Sequence, residues 1–143
     1  MGKIETPYDA LTYKIIGMAM TVHNELGPGF PEEFYQKAME MLMKAEKVQH
    51  DREFPIEIFF RGQIVGKFEL DFVVERSVVL EFKAVTALAP IHEQQVLSYL
   101  AASGLPVGLL INFGAIRLQQ KRLFPSLAVQ SSPAFIARQT KSK

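Results

Sequence analysis

The 143-residue chain carries 16 Lys and Arg against 15 Asp and Glu, a formal net charge of +1, with 48% apolar and 22% charged residues. That balance is the composition of an ordinary soluble domain, not of a disordered or fibrous chain, and a charge so near zero supplies no global field to draw in a polyanion. The absence of Cys excludes disulfides, thiolate zinc sites and a cysteine nucleophile.

Apolar stretches such as 15–20 and 107–113 are far shorter than the ~20 residues a membrane span requires. The start of the chain lacks a positively charged segment leading into an apolar one, so the cytoplasm is the expected location and a membrane is not an expected partner. Gly2 and Thr6 fit the loose N-myristoylation pattern, but the segment that follows reads as the start of a packed helix.

In chain order, Thr6-Pro7-Tyr8-Asp9 predicts a helix start with Thr6 as N-cap and Pro7 at the first helical position. Leu11, Ile15, Met18 and Val22 then form one apolar stripe running to about Glu25. Gly27-Pro28-Gly29 breaks it, and Pro31 with Glu32 and Glu33 opens a second helix to about Lys47, its acidic first turn suited to the macrodipole. From Gln49 to Phe60 the alternation of Phe54, Ile56, Ile58 and Phe60 predicts a strand with one wet face. A second strand, Ile64 to Glu75, follows the Arg61-Gly62-Gln63 turn, with Phe68, Leu70 and Phe72 on one face and Glu69, Asp71 and Val73 on the other. The continuous apolar opening of Val78 to Lys83 predicts a central strand covered on both sides.

Pro90 starts a helix through about Ser103 in which His92, Gln95 and Tyr99 lie close to one face, and Gly104 ends it. Val107 to Phe113 reads as another buried strand, and Ala115 to Phe124 as a further one using Ile116, Leu118 and Leu123. Beyond Pro125 the pattern fades, and a mobile end is expected. The predicted order is α-α-β-β-β-α-β-β in a single unit spanning 1–143. Late basic residues, Arg117, Lys121, Arg122, Arg138, Lys141 and Lys143, suit phosphate contact and equally suit a solvated strand edge and tail.

One constellation carries chemistry. Glu81 and Lys83 alternate onto the same face of their strand, with Phe82 opposite, and Asp71 can join them from the neighbouring strand. Two carboxylates brought together in a partly buried place raise each other's pKa unless a cation intervenes. Hard oxygen ligands suit Mg²⁺ or Mn²⁺, and a lysine beside them can hold a water and offset charge on a phosphate. A surface salt-bridge cluster is the competing reading of the same three residues.

Asp71, nine residues, then Glu81-Phe82-Lys83 on an apolar strand resembles the active-site motif of the PD-(D/E)XK phosphodiesterase superfamily. Gln95 to Tyr99 matches the Q-x-x-x-Y signature of RecB-type exonucleases. Gly29-Phe30-Pro31-Glu32-Glu33-Phe34-Tyr35, His92-Glu93 and Gly108 to Phe113 resemble the GxxExxY family within that superfamily, the likeness covering roughly 10–124 and leaving 125–143 as an extension. Leu70 stands where the superfamily has its proline.

The resemblance implies an α/β, restriction-endonuclease-like αβββαβ core with a mixed sheet flanked by helices and an extra N-terminal helix. It implies Asp71, Glu81 and the Phe82 carbonyl as ligands of Mg²⁺ or Mn²⁺, Lys83 as the catalytic lysine and Glu32 as a further acidic group. Gln95 and Tyr99 would orient substrate, and His92 would approach phosphate. For Glu32 helix-dipole stabilisation alone is the alternative, for Gln95 and Tyr99 ordinary helix packing, and for His92 a solvated helix start. The implied activity is hydrolysis of phosphodiester bonds in nucleic acid, DNA favoured. A non-catalytic nucleic-acid-binding or assembly protein is the alternative, and a homodimer is expected because small members of such folds often pair.

Overall fold

In the computed structural model, which describes residues 6–142, the first helix, α1 (Asp9–Leu26), begins three residues later than its Thr6 signal. Residues 6–9 form a turn instead: Thr6 Oγ1 donates to Asp9 Oδ1 at 2.7 Å and accepts the Tyr8 amide at 3.2 Å. Tyr8 therefore occupies the N-cap position that the sequence pattern assigned to Thr6. Gly2 of the N-myristoylation pattern lies outside the described residues. Helix α2 (Glu32–Ala45) stops short of Lys47, which takes a left-handed φ of 58° and so cannot extend it.

Strands β1 (His50–Phe60), β2 (Gln63–Val74) and β3 (Val78–Lys83) form an antiparallel meander. Helix α3 (Pro90–Ser103) returns the chain to β4 (Val107–Asn112), which pairs parallel to β3, and β5 (Gln119–Leu123) adds an antiparallel edge. The sheet order is β1-β2-β3-β4-β5, a mixed five-stranded sheet flanked by helices. Gly104 caps α3 with φ 75°, in contact with the Arg138 backbone, so both conformation and space demand glycine there.

Each face of the sheet has its own core. On one, Ile15, Met18 and Val22 of α1 and Tyr35, Met39 and Met43 of α2 meet Phe72, Leu80 and Phe82 from the sheet. Tyr35 stacks on Phe113 with centroids 4.6 Å apart, and Phe82 meets Phe113 edge-on at 5.2 Å. Each such ring, fully buried, contributes roughly 2–3 kcal/mol of apolar burial. On the other face Val96, Tyr99 and Leu100 of α3 cover Leu70, Val73, Val79 and Leu110. β3 is buried along its length except at Lys83, as a strand covered on both sides must be.

Further sequence expectations fail outside the site. Ile116 is 90% exposed and precedes β5, because residues 114–118 form a bent connection and the strand starts only at Gln119. Phe60 is 61% exposed, since the β1–β2 hairpin projects beyond the elements that could cover it. The chain beyond Pro125 does not lose structure: α4 (Leu127–Gln130) starts with Ser126 capping the Val129 amide, and α5 (Pro133–Ser142) follows. Phe135 is buried to 1% exposure and Arg138 donates to the Ala101 carbonyl of α3, which docks α5 on that helix. Among the described residues no helix is long and apolar enough to cross a membrane.

Candidate active site

The site forms where two paired strands part. β2 and β3 are in register at Val74↔Val78, Val73↔Val79 and Phe72↔Leu80, and the ladder stops there. Two residues beyond Leu80, the Phe82 amide that a continued ladder would have satisfied donates instead to the Asp71 carboxylate, to Oδ2 at 2.9 Å. Asp71 thus lies at the mouth of a splayed hairpin, directed at β3.

The simple alternation predicted for β2 breaks at the same point. Phe72 packs in the core under α1 and α2, whereas Leu70 packs in the core under α3, although alternation puts them on one face. β1 distorts opposite: Arg52 pairs Phe72, Phe54 pairs Leu70, and Glu53 between them has φ 54°, a conformation a non-glycine residue adopts only at a cost. The strands change face together across Glu53 and Asp71. Periodicity could not show this, because it assumes an undistorted pleat.

Glu81 is only 4% exposed, so its ion pair with Lys83 is not a solvated surface contact. Its Oε2 lies 3.7 Å from Lys83 Nζ, and its Oε1 is buried with no hydrogen-bond partner. Burial, then the Asp71 charge, pushes the Glu81 carboxyl up to about 8, with Lys83 pulling the other way. Burial also raises the Asp71 carboxyl, against the Phe82 amide and the charges of Lys83 and Arg52. Glu32, half-buried at the start of α2, is raised by burial and by Asp71, so it belongs electrostatically to the same cluster. Burial and mutual repulsion raise all three carboxyl groups, a penalty that a nearby cation would relieve.

Among the described residues no three His, Asp or Glu side chains are grouped closely enough to cage a metal by themselves. Two carboxylates with further oxygens from backbone and water are, however, the donor set Mg²⁺ accepts, since that ion keeps several waters. The unpartnered Glu81 Oε1 fits such an ion, for a buried charged oxygen without a partner is costly unless something positive meets it.

Lys83 Nζ donates to Gln95 Oε1 at 2.7 Å, so α3 reaches the site through Gln95. Tyr99 stands one helical turn after Gln95, and its hydroxyl is pushed up to about 12 by burial and then by Glu81 and Asp71. Tyr99 packs edge-on against Phe68 at 5.0 Å, which adds a packing role to its place beside the carboxylates. His92 is half-buried, and its Nδ1 accepts the Ala89 amide at 2.9 Å, which caps α3. Tyr35 is structural, donating to the Gly27 carbonyl at 2.6 Å and accepting the Phe30 amide.

The loop after Lys83 is held rigidly. Asn112, fully buried, takes the Val85 amide on Oδ1 at 2.9 Å and returns a bond to the Val85 carbonyl at 2.8 Å. Gly114 lets that loop approach, since a Cβ there would stand 2.4 Å from the Val85 backbone. Sequence reasoning missed Asn112 as a clamp, and it missed Gln36 and Arg52, which join α2 to β1 beside Glu32. The i to i+4 spacing of Glu32 and Gln36 was the available signal for the second. For Arg52 there was none, because its partners lie 12 and 16 residues away.

The PD-(D/E)XK nuclease superfamily profile matches residues 9–123 of the chain. No curated protein sequence matches it significantly. The crystal structure of SSO0001 superposes with a TM-score of 0.54 at 17% identity over 94% of this chain, which spans 66% of that protein's length. An alkaline exonuclease, LHK-Exo from Laribacter hongkongensis, aligns at a TM-score of 0.49 and 10% identity, covering 96% of this chain and 82% of that one. The SSO0001 likeness speaks to the fold alone, an α/β architecture with a mixed sheet consistent with the restriction-endonuclease-like class.

Proposed function

Because the chain belongs to the PD-(D/E)XK nuclease superfamily, we propose that it is a divalent-metal-dependent nuclease that hydrolyses phosphodiester bonds in DNA. The observation that carries the proposal is the buried, unpartnered oxygen of Glu81 beside Asp71 and Lys83 at the splayed end of β2 and β3. Asp71 and Glu81, with the carbonyl of Phe82, would hold Mg²⁺ or Mn²⁺. A bound ion of that kind supplies Lewis acidity toward phosphate and water.

The protein's own groups do the rest. Lys83 has three N–H donors, of which Gln95 takes one and Glu81 draws another, leaving one for a phosphate oxygen or the attacking water. Its fixed positive charge offsets negative charge that grows on the phosphate as the bond to water forms. Gln95 sets the lysine's direction and with Tyr99 would orient substrate, and Glu32 adds a carboxylate on the α2 side that can orient water. His92, with Nδ1 taken by the Ala89 amide, would approach phosphate through Nε2.

Within this reading the chain is a single domain with a C-terminal helical extension, of GxxExxY type on the Gly29 to Tyr35 segment, cytoplasmic, and paired as a homodimer. A second reading, a nucleic-acid-binding or assembly protein that keeps the fold without catalysis, is favoured by the net charge of +1, which gives duplex DNA little long-range attraction. Incubation with linear, nicked and single-stranded DNA and with RNA, in Mg²⁺ or Mn²⁺, separates the two. Cleavage by the wild type that is lost in Asp71→Ala and Lys83→Ala is expected. No cleavage, or equal cleavage by the variants, contradicts the nuclease reading.

A further inference from the structure

Gln36 lies one helical turn after Glu32 on α2, so the two side chains share a face. Its Nε2 donates to Glu32 Oε2 at 3.0 Å, and the same amide stands beside Asp71, where it favours the ionised carboxylate. One amide therefore spans two carboxylates that come from different elements and repel each other. An amide can do this only with its NH₂ end facing the site; turned over, it would present a third oxygen to two others.

Arg52 decides which way the amide faces. Its Nη2 donates to Gln36 Oε1 at 3.2 Å. A guanidinium has donors and no acceptor, so the amide oxygen must point at Arg52 and the NH₂ must point at the carboxylates. Arg52 is itself pinned: Nη1 donates to Glu40 Oε1 at 3.3 Å, the group lies over the Phe72 ring at 5.8 Å, and Glu40 is held from its other oxygen by His50 at 3.3 Å. The network runs from α2 and β1 into the site and ends at the two carboxylates.

We propose that Gln36 is a positioning residue that clamps Glu32 and Asp71 at the spacing the reaction needs, and that Arg52 works through it by fixing the orientation of its amide. This rests on the nuclease reading above. Neither residue touches the reacting atoms; both set where the acceptors stand. Outer residues that orient ligands in this way typically change metal affinity or activity by about 10- to 100-fold when removed.

The test uses the full chain as wild type, Gln36→Leu, Arg52→Lys and the double variant, with Mn²⁺ titration calorimetry, steady-state DNA cleavage and thermal unfolding. Gln36→Leu should weaken Mn²⁺ binding by about tenfold and lower kcat by at least that factor, with KM within about threefold. Arg52→Lys keeps the positive charge but not the fork, and should show the same pattern more weakly. The double variant should be no worse than Gln36→Leu alone, because the route from Arg52 is already cut. Wild-type Mn²⁺ affinity and kcat in Gln36→Leu, or losses that add in the double variant, or losses that merely follow the fall in melting temperature, would overturn the inference. A wild type that binds no Mn²⁺ and cleaves nothing would instead bring down the proposed function itself.

Discussion

The two ends of the β2–β3 pair are built on opposite principles. At the closed end Val73, Val74, Val78 and Val79 pair in register and are buried among apolar neighbours on both faces. Beyond Phe72↔Leu80 the ladder is given up, and the half-buried carboxylate of Asp71 takes the place of a backbone carbonyl as the partner of the Phe82 amide. The closed end gains stability from every group it buries; the open end holds acidic groups that burial and mutual repulsion penalise. The contrast shows stability and chemistry separated along a single pair of strands, with the fold's cost concentrated where the reaction is proposed to occur.

Four substitutions sharpen or break that contrast. The largest effect is expected from Lys83→Ala, which should reduce DNA cleavage by roughly a hundred- to a thousandfold while moving the melting temperature little, as followed on a labelled oligonucleotide. A large loss of stability in that variant would show that the open end carries structure as well. Next, Leu80→Ala at the closed end should cost about 2–5 kcal/mol in denaturant unfolding, because it deletes a fully buried side chain in a packed core.

Third comes a pH effect of opposite sign. The Glu81 carboxyl sits at about 8 in the fold against 4.5 when free, so its contribution to stability is fully present below about 4.5 and is lost as pH rises through 8. Metal-free wild type should therefore lose stability across that window relative to Glu81→Gln, which stays neutral throughout. At pH 8 Glu81→Gln should be the more stable by on the order of 2 kcal/mol, measured by unfolding in a chelator at pH 5 and pH 8. Equal stability at both values would contradict the buried charge. The smallest effect is Ile116→Ser, at a side chain 90% exposed, which should change stability by less than about 0.5 kcal/mol.

What the sequence made legible follows from how local each signal was. β3 and α3 match their predicted bounds, Val78–Lys83 and Pro90–Ser103, because an unbroken apolar run and a Pro-to-Gly bracket are each written within a few residues. Glu81 and Lys83 could be placed on one face by strand alternation alone. The inversion of β2 at Asp71 could not, because it depends on Glu53 in the neighbouring strand taking a positive φ. α5 escaped notice because it buries chiefly Phe135 and so shows no apolar stripe, although Ser126 and Pro133 were both helix-start signals. The link from Arg52 to Gln36 and Glu40 joins a strand to a helix and leaves no mark in either one's periodicity.

Thermal unfolding at pH 8, with and without Mn²⁺, addresses the paired carboxylates most directly. In wild type, Mn²⁺ at about a hundred times its dissociation constant should stabilise the fold by roughly 2.7 kcal/mol, seen as a higher melting temperature, and the rise should vanish in the Asp71→Asn, Glu81→Gln double variant. An unchanged wild-type melting temperature at saturating ion, or the same rise in the double variant, would contradict the account.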